Sequence, residues 1–298
     1  MLTFESMKLA LVTYNDQGNF AGEGASEDQR LLEFLQHKGL DVQYEIWNDP
    51  NVNWNEYAAI ILKSPWDYFD RIAEFSAWLD LLERQNLRVL NPVQIVRWNC
   101  DKRYLFDIEK SGFGIVPGRL LENPEKLDLV SLFDAWQVEK LVVKPVISGG
   151  AKNTFSFSRS EAKAYEQKLA GLLKEEAFLA QPFMPEIQTE GEWSLVFFNG
   201  KFSHCVLKVP KTGDFRVQHY FGGAIVAATP PETVLKSAEK LIQEFAKGCL
   251  YARVDGVLSE GEFKLMELEL IEPLLYLQQN ETLYENYHQA LLRLLKTS

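Results

Sequence analysis

The clearest chemical signature lies near the carboxyl end. Tyr251-Ala-Arg-Val-Asp-Gly-Val-Leu runs into a turn at Ser259-Glu-Gly-Glu and then into Phe263-Lys-Leu-Met-Glu-Leu-Glu-Leu-Ile-Glu-Pro. Alternate side chains of a strand share a face. A hairpin closed by a three-residue loop (Glu260, Gly261, Glu262) therefore sets Asp255 opposite Glu267 and Arg253 opposite Glu269. One face carries Arg253, Asp255, Glu267 and Glu269; the other carries Val254, Leu258, Met266, Leu268 and Leu270. Carboxylates this close repel, and one keeps its proton unless a cation joins them. Oxygen ligands on a rigid sheet suit Mg²⁺ shared with substrate phosphates. An acidic solvent-facing strand shows the same alternation, and a one-residue slip of register would scatter the set.

A second candidate group is cationic. Lys144 ends the apolar strand Leu141-Val-Val-Lys-Pro, where a charge is costly unless an anion meets it. Ile147-Ser-Gly-Gly-Ala-Lys-Asn-Thr follows, and Gly149 and Gly150 let backbone N–H groups approach a phosphate. Ser-Gly-Gly is also common in plain turns. Neither G-x-x-x-x-G-K-[ST] nor G-x-G-x-x-G occurs, so the phosphate loops those patterns describe are excluded.

The elements that must position these groups are readable from periodicity. Lys8–Tyr14, Asp41–Trp47, Tyr57–Lys63 and Leu87–Leu90 read as strands. Between them lie a helix with Ser26 as N-cap and Gly39 as stop, and a helix over Asp70–Arg84. Strands alternating with helices imply an open parallel sheet over about the first 95 residues. Helices are expected at Asp101–Gly112, Ser160–Glu175, Pro231–Gly248 and Glu281–Leu295. Strands are expected at Leu141–Val143, Phe178–Gln181, Trp193–Phe198, Phe202–Val209, Ala224–Ala227 and in the closing hairpin. The fold class is thus α/β followed by α+β.

The 298 residues suggest about two domains. With 46% hydrophobic and 12% aromatic residues, disorder and low-complexity classes are excluded. A net charge of −11 argues against nucleic acid as a partner. No apolar run approaches membrane-spanning length, and the amino end has no secretory pattern. Cys100, Cys205 and Cys249 lie far apart, consistent with reduced thiols in the cytoplasm, and the four histidines lack zinc-ligand spacing.

Taken in order, Asp101-Lys102, Val-Val-Lys144-Pro with its glycine loop, Gln181-Pro-Phe-Met184, Gly191-Glu192-Trp-Ser, Phe215-Arg216 with Gly222-Gly223, Ala-Arg253-Val-Asp255 and Glu267-Leu-Glu269 resemble the ATP-grasp superfamily. The similarity is closest to its glutathione-synthetase-like and D-alanine–D-alanine-ligase-like members, over about residues 95 to 275. The resemblance implies an amino-terminal substrate domain over 1–100 and a two-subdomain ATP-grasp domain over 101–298. Within the latter, about 115–184 would bear the lid and 185–298 the metal. It implies that Lys102 and Lys144 contact phosphates, that Ser148, Gly149, Gly150 and Ala151 cover them, and that Gln181, Phe183 and Met184 border adenine. Glu192 would approach the ribose, and Asp255, Glu267 and Glu269 would hold metal. Glu269 departs from the usual Glu-x-Asn pattern and adds negative charge. Pro182 removes an N–H donor, shifting adenine contacts toward Met184.

Arg216 and Arg253 suit stabilisation of a transferring phosphoryl group, although Arg253 can equally be a cross-strand partner of Glu269. Lys208 extends the substrate pocket in this reading. Lys63-Ser-Pro-Trp66-Asp67-Tyr68 follows a buried strand, and ligands of open α/β sheets bind beyond the carboxyl ends of strands. Trp66, Asp67 and Tyr68 are therefore candidates for gripping an amino-acid-like substrate, Asp67 through its ammonium. A turn leading into a helix, with aromatics packed beneath it, is the alternative. The stretch is similar to one in ATP-grasp ligases that include a cyclo-ligase of cycloserine biosynthesis. The implied activity is ATP-dependent carboxylate–amine ligation with one or two Mg²⁺ ions, Mn²⁺ substituting, on small-molecule substrates, with a homodimer as a compatible state. A small-molecule kinase on the same scaffold and a non-catalytic nucleotide-binding protein are the alternatives.

Overall fold

A computed structural model describes residues 7–15, 23–210 and 223–296. The amino-terminal part comprises β1 (Lys8–Thr13), α1 (Glu23–His37), β2 (Asp41–Ile46), β3 (Ala59–Ser64), α2 (Ile72–Arg84) and β4 (Val89–Leu90). Its sheet is parallel, in the order β2-β1-β3-β4. Every residue of the central strand β3 is buried, Lys63 included, as a strand covered on both faces requires. Two helices, α3 (Val93–Asn99) and α4 (Tyr104–Lys110), then lead away. Helix α1 begins before Ser26, so that residue is not the N-cap: its hydroxyl accepts from Gln278 Nε2 at 3.1 Å. Gly39 does end the helix, with φ +84°.

A second, antiparallel sheet contains β5 (Arg119–Leu121), β6 (Lys140–Pro145), β7 (Phe155–Ser158) and β8 (Phe178–Pro182), ordered β5-β8-β6-β7. It is backed by α5 (Leu129–Trp136) and α6 (Ala162–Leu172), which share its apolar core. After the short α7 (Glu186–Thr189) come β9 (Glu192–Phe198), β10 (Lys201–Val209), β11 (Ala224–Ala227), α8 (Glu232–Phe245), β12 (Tyr251–Ser259), β13 (Glu262–Glu269) and α9 (Glu281–Lys296). Their strands form a third sheet, β11-β10-β9-β12-β13, again antiparallel. In α8 the buried residues Val234, Ala238, Leu241 and Ile242 make the single apolar stripe that seats it on this sheet. One hydrophobic cluster joins α1, β1 and β2 to α9 and to Val196, Val206 and Tyr251, so the first and third sheets are packed through a shared core. Among the described residues no helix is long and apolar enough to cross a membrane, and all three cysteines are buried free thiols.

The closing hairpin pairs as its alternation predicts, Asp255 with Glu267 and Arg253 with Glu269, but by a different route. Its loop has two residues, not three: Ser259 pairs with Glu262, and Glu260 and Gly261 take φ +53° and +79°, the pattern of a type I′ turn. A β-bulge between Asp255 and Gly256 restores the one-residue difference. The bulge also moves Met266 away from Val254 and Leu268. It packs with Met184, Ile187 and Val257 instead.

Candidate active site

Strand β13 is the edge of its sheet, and an edge strand leaves backbone groups unpaired. Here they are satisfied from outside. Asn99 Nδ2 donates to Leu268 O at 2.7 Å and its Oδ1 accepts from Leu270 N at 2.9 Å. Tyr104 Oη accepts from Leu268 N at 2.8 Å, and the Leu265 backbone exchanges hydrogen bonds with Gly114 O and Val116 N. Buried Asn91 donates to Tyr251 O and Leu270 O and accepts from Leu250 N at 2.7 Å. The two asparagines and the tyrosine thus hold the strand ends that carry the carboxylates.

On the face these strands present, Asp255 is 2% exposed. Ser194 Oγ donates to its Oδ1 at 2.6 Å, Arg253 Nε and Nη2 reach its oxygens at 2.8–3.1 Å, and Lys208 Nζ lies 3.2 Å from Oδ2. Arg253 Nη2 also pairs with Glu269. Lys208 continues to Glu192 Oε1 at 2.5 Å. Opposite, Lys102 Nζ lies 3.4 Å from Glu267 Oε1 and donates to Ser148 O at 2.7 Å. Lys144, on β6, has no hydrogen-bond or ion-pair partner among the described residues; the charges acting on it are Glu267, Lys102, Glu192 and Glu269.

The electrostatics divide these groups. Burial pushes the Lys144 ammonium below its usual pKa, with Glu267 opposing. Burial alone would raise the Asp255 carboxyl, but Arg253 and Lys208 overcome it and hold it well below the carboxylate range. For Glu267, Lys102 and Lys144 likewise overcome burial. Glu269 goes the other way: burial, with Asp255 and Glu267 adding repulsion, raises its pKa well above normal despite Arg253. Burial also raises Glu192 against the pull of Lys208.

Among the described residues no three His, Cys, Asp or Glu side chains stand ready as a metal cage, because Arg253 lies between Asp255 and Glu269. The donor set nevertheless fits a divalent cation. Glu267 and Glu269 keep 33% and 24% of their side-chain surface open, and the raised Glu269 marks a surplus of negative charge that such an ion would relieve.

The remaining expected residues are distributed as follows. Gly150 and Ala151 both have positive φ, and the 149–154 loop turns on two backbone bonds, Lys152 N to Gly149 O and Thr154 N to Ala151 O. The loop meets the amino-terminal part: Gly149 lies against Phe69, and Lys152 pairs with Asp70. Gln181 spends its side chain on Val116 O at 3.1 Å, Phe183 N donates to Lys140 O, and Met184 lines the apolar wall with Val257 and Met266. Lys208, set opposite Glu192 by the β10–β9 register, belongs to the Glu192–Asp255 cluster.

Tyr68 is a core residue, 4% exposed and packed on Phe75, since the single turn Tyr68–Asp70 folds it beneath α2. Asp67 accepts from Trp47 Nε1 at 2.6 Å and faces Arg71, so its charge is already engaged. Trp66 remains at the junction, its Nε1 donating to Glu272 O at 3.1 Å. Arg216 lies outside the described residues.

Sequence reasoning missed Glu272, Asn91 and Asn99. Glu272 stands three residues after Glu269, off the strand's period of two, so alternation conceals it. Burial pushes its carboxyl up to about 7, Lys102 opposing and Glu267 adding.

Both parts of the chain resemble known proteins. Residues 9–91 match the model of the amino-terminal domain of D-cycloserine synthetase DcsG, and residues 125–274 match that of the prokaryotic glutathione synthetase ATP-grasp domain. The cycloserine biosynthesis protein DcsG of Streptomyces lavendulae is 30% identical over 282 residues, spanning 89% of this chain and 93% of that protein. The crystal structure of D-cycloserine synthetase DcsG superposes with a TM-score of 0.82 at 27% identity, over 96% of this chain and 99% of that one. The D-alanine–D-alanine ligase of Bacillus anthracis complexed with ATP gives 0.71 at 13% identity, over 97% of each chain. Fold, cation–carboxylate arrangement and sequence converge: the chain belongs to the ATP-grasp carboxylate–amine ligases, the family of enzymes that includes DcsG and forms amide bonds on amino-acid-like substrates at the expense of ATP.

Proposed function

We propose that this ligase activates a substrate carboxylate as an acyl phosphate, which an amine then attacks to give the amide, ADP and phosphate. The observation that carries the reading is the gathering of Lys102, bonded to Ser148 O in the glycine loop and paired with Glu267, with Lys144, which has no ion-pair partner among the described residues and feels Glu267. A desolvated lysine without an ion-pair partner among the described residues calls for an anion, and a triphosphate supplies one to both lysines.

In this reading Lys102 and Lys144 orient the β- and γ-phosphates, while Ser148 to Ala151 exclude water from above. Met184, Phe183 and Gln181 border the adenine, with Met266 and Val257 as its apolar floor, and Glu192 meets the ribose. Glu267 and Glu269 hold Mg²⁺, one or two ions with Mn²⁺ able to substitute; Asp255 joins them as Lys208 or Arg253 turns toward phosphate. When bound, the metal neutralises charge on the phosphates. Arg253, joined by Arg216, stabilises the charge that develops during transfer. Trp66 borders the substrate. Buried free thiols accord with a cytoplasmic setting. Val226 on edge strand β11, 47% exposed, is where a homodimer contact is sought.

The test is phosphate release from ATP and Mg²⁺ across a panel of amino acids, alone and in pairs, with product analysis by mass spectrometry. An amide product with equimolar phosphate is expected. A stable phosphorylated product would replace ligation by a kinase reaction, and ATP binding without turnover by any member would leave a nucleotide-binding protein. The match of residues 9–91 to a cycloserine synthetase domain favours one narrower form of the reaction. In it, amine and carboxylate belong to one molecule and the product is a ring, so single amino acids suffice in the panel.

A further inference from the structure

Between β13 and α9 the chain has no ladder of its own, yet side chains from both packed parts fix its backbone. From the third sheet, Arg253 Nη1 donates to Leu274 O at 2.9 Å. His204 Nε2 lies 2.8 Å from Leu275 O, which can only accept, so that nitrogen carries the hydrogen. The Tyr251 hydroxyl stands 2.6 Å from both Leu62 O and Ile271 O and so ties the stretch to β3. From the amino-terminal part, Trp66 Nε1 donates to Glu272 O at 3.1 Å, and Glu27 makes two contacts.

Glu27 lies on α1 and is 1% exposed. Its Oε1 accepts from Leu275 N at 3.0 Å and its Oε2 from Leu277 N at 2.9 Å. Leu275 and Leu277 are fully buried, so removing this carboxylate would leave both amide hydrogens orphaned. One carboxylate that spans two amides clasps the residue between them. That residue is Tyr276, whose φ of +54° and ψ of +33° are left-handed. A residue with a side chain adopts that conformation when its surroundings impose it. Lys63, near the end of central strand β3 and 1% exposed, balances the charge: its Nζ lies 3.2 Å from Glu27 Oε1 and 2.7 Å from Asp28 Oδ1. A buried ion pair returns little net stability, so this one is better explained by what it holds.

What it holds is the setting of Arg253. The peptide between Leu274 and Leu275 is gripped at both ends, its C=O by Arg253 and its N–H by Glu27. The Tyr276 ring centroid lies 5.5 Å from the guanidinium carbon, within cation–π range. The other nitrogens of Arg253 reach Asp255 and Glu269. A single peptide and a single ring thus connect a carboxylate of the amino-terminal part to the arginine of the site.

We propose that Glu27 is a positioning residue. By clasping the Leu275 and Leu277 amides it sets the Leu274 carbonyl and the Tyr276 ring, and through them it aims Arg253 at the transferring phosphoryl group. This deepens the ligase reading and rests on the role given there to Arg253.

The test uses the full-length protein with Glu27→Gln, which keeps the shape but turns an NH2 group toward one of the two amides. With the amino acid that supports phosphate release, kcat should fall about 10- to 100-fold, the scale of a catalytic group misplaced by up to about 1 Å. KM for ATP and the affinity for ADP should stay within about threefold, since the loss falls on the transfer step. Glu27→Asp, which keeps the charge, should recover part of kcat. In an Arg253→Lys background, Glu27→Gln should cost less than about threefold, because the group it positions is already gone. A purely structural role predicts a lower unfolding midpoint with kcat unchanged well below it, or equal losses of kcat in the two backgrounds. Either result overturns the proposal. If the wild type turns over no amino acid, the ligase reading has failed separately, and the crystal structure of Glu27→Gln decides the inference. Arg253 detached from Leu274 O, or Tyr276 out of the left-handed region, supports it; both unmoved overturns it. Should Glu27→Gln not fold, Glu27→Asp carries the same comparisons with a smaller loss of kcat, and an unchanged kcat with Arg253 unmoved overturns the proposal.

Discussion

Replacing Gly149 by alanine tests whether the 149–154 loop closes against the amino-terminal part. The φ of Gly149 lies outside the left-handed region, so alanine is allowed by the backbone and the substitution reports on space alone. A Cβ there would stand 2.5 Å from Phe69 Cε1 and 2.9 Å from Cδ1. Ordinary contact begins about 1 Å further out, so ring or loop must move by roughly that distance. The ring is hemmed in by Tyr68, its centroid 5.6 Å away and edge-on. Overpacking of this size costs about 1–3 kcal/mol. The exposed Lys152–Asp70 pair can hold the loop in place by no more than about 1 kcal/mol. The loop should therefore lift, and its closed population should fall about 5- to 100-fold. Phosphate-release kinetics should show a raised KM for ATP and a lowered kcat in Gly149→Ala, with little change in thermal unfolding. Phe69→Ala added to Gly149→Ala should recover most of the loss, a coupling of at least about 1 kcal/mol in the double-mutant cycle. If Gly149→Ala behaves as wild type, or the double variant is no better than the single, the contact does not govern closure.

Three further outcomes follow from groups with defined surroundings. Lys144→Met removes a desolvated charge that has no hydrogen-bond or ion-pair partner among the described residues, so the midpoint of thermal unfolding without nucleotide should hold or rise. ATP affinity by calorimetry should fall at least about 100-fold, and retained affinity would remove Lys144 from the phosphate site. Asn99→Ala strips two hydrogen bonds from edge strand β13 and orphans Leu268 O and Leu270 N. A loss of about 2–4 kcal/mol in denaturant unfolding is expected, and a loss under about 0.5 kcal/mol would show that the strand holds itself. Burial lowers the His204 pKa from 6.5 to about 4, against the bond to Leu275 O. The unfolded chain therefore takes up this proton first as pH falls, so the contribution is complete above about pH 6.5 and is lost between there and about pH 4. Relative to His204→Gln, the wild type should lose about 1.4 kcal/mol per pH unit across that window; parallel pH curves for the two would refute the assignment.

What the amino-acid sequence disclosed, and what it hid, follows from how far each interaction reaches. The carboxylate face of the hairpin was legible because strand alternation is a local, two-residue rule, and Arg253, Asp255, Glu267 and Glu269 obey it. Its turn and bulge were not: the misjudged loop length and the missed bulge cancelled, leaving the right pairs for an incomplete reason. Lys144 declared itself by ending an apolar strand. Met266 was placed on the wrong wall because the bulge redirects a single residue. Asn91 and Asn99 act on partners 159 to 179 residues away, and nothing in their immediate neighbourhood marks them as caps of a distant strand. The Trp66-Asp67-Tyr68 run was correctly set beyond the carboxyl end of β3. Its side chains then diverge, Trp66 to the junction, Asp67 to Trp47 and Tyr68 into the core. Short β5, β7, α3 and α5 lack the length over which either period becomes visible.

The account depends on transfer of the γ-phosphoryl group, oriented by Lys102 and Lys144 beside Glu267, to a substrate carboxylate. Incubation with an ¹⁸O-carboxylate-labelled amino acid that supports turnover, ATP and Mg²⁺, followed by mass analysis of the released phosphate, examines that transfer directly. Breakdown of an acyl phosphate by amine attack predicts one ¹⁸O atom in each phosphate released. Phosphate carrying only solvent or nucleotide oxygen would contradict it.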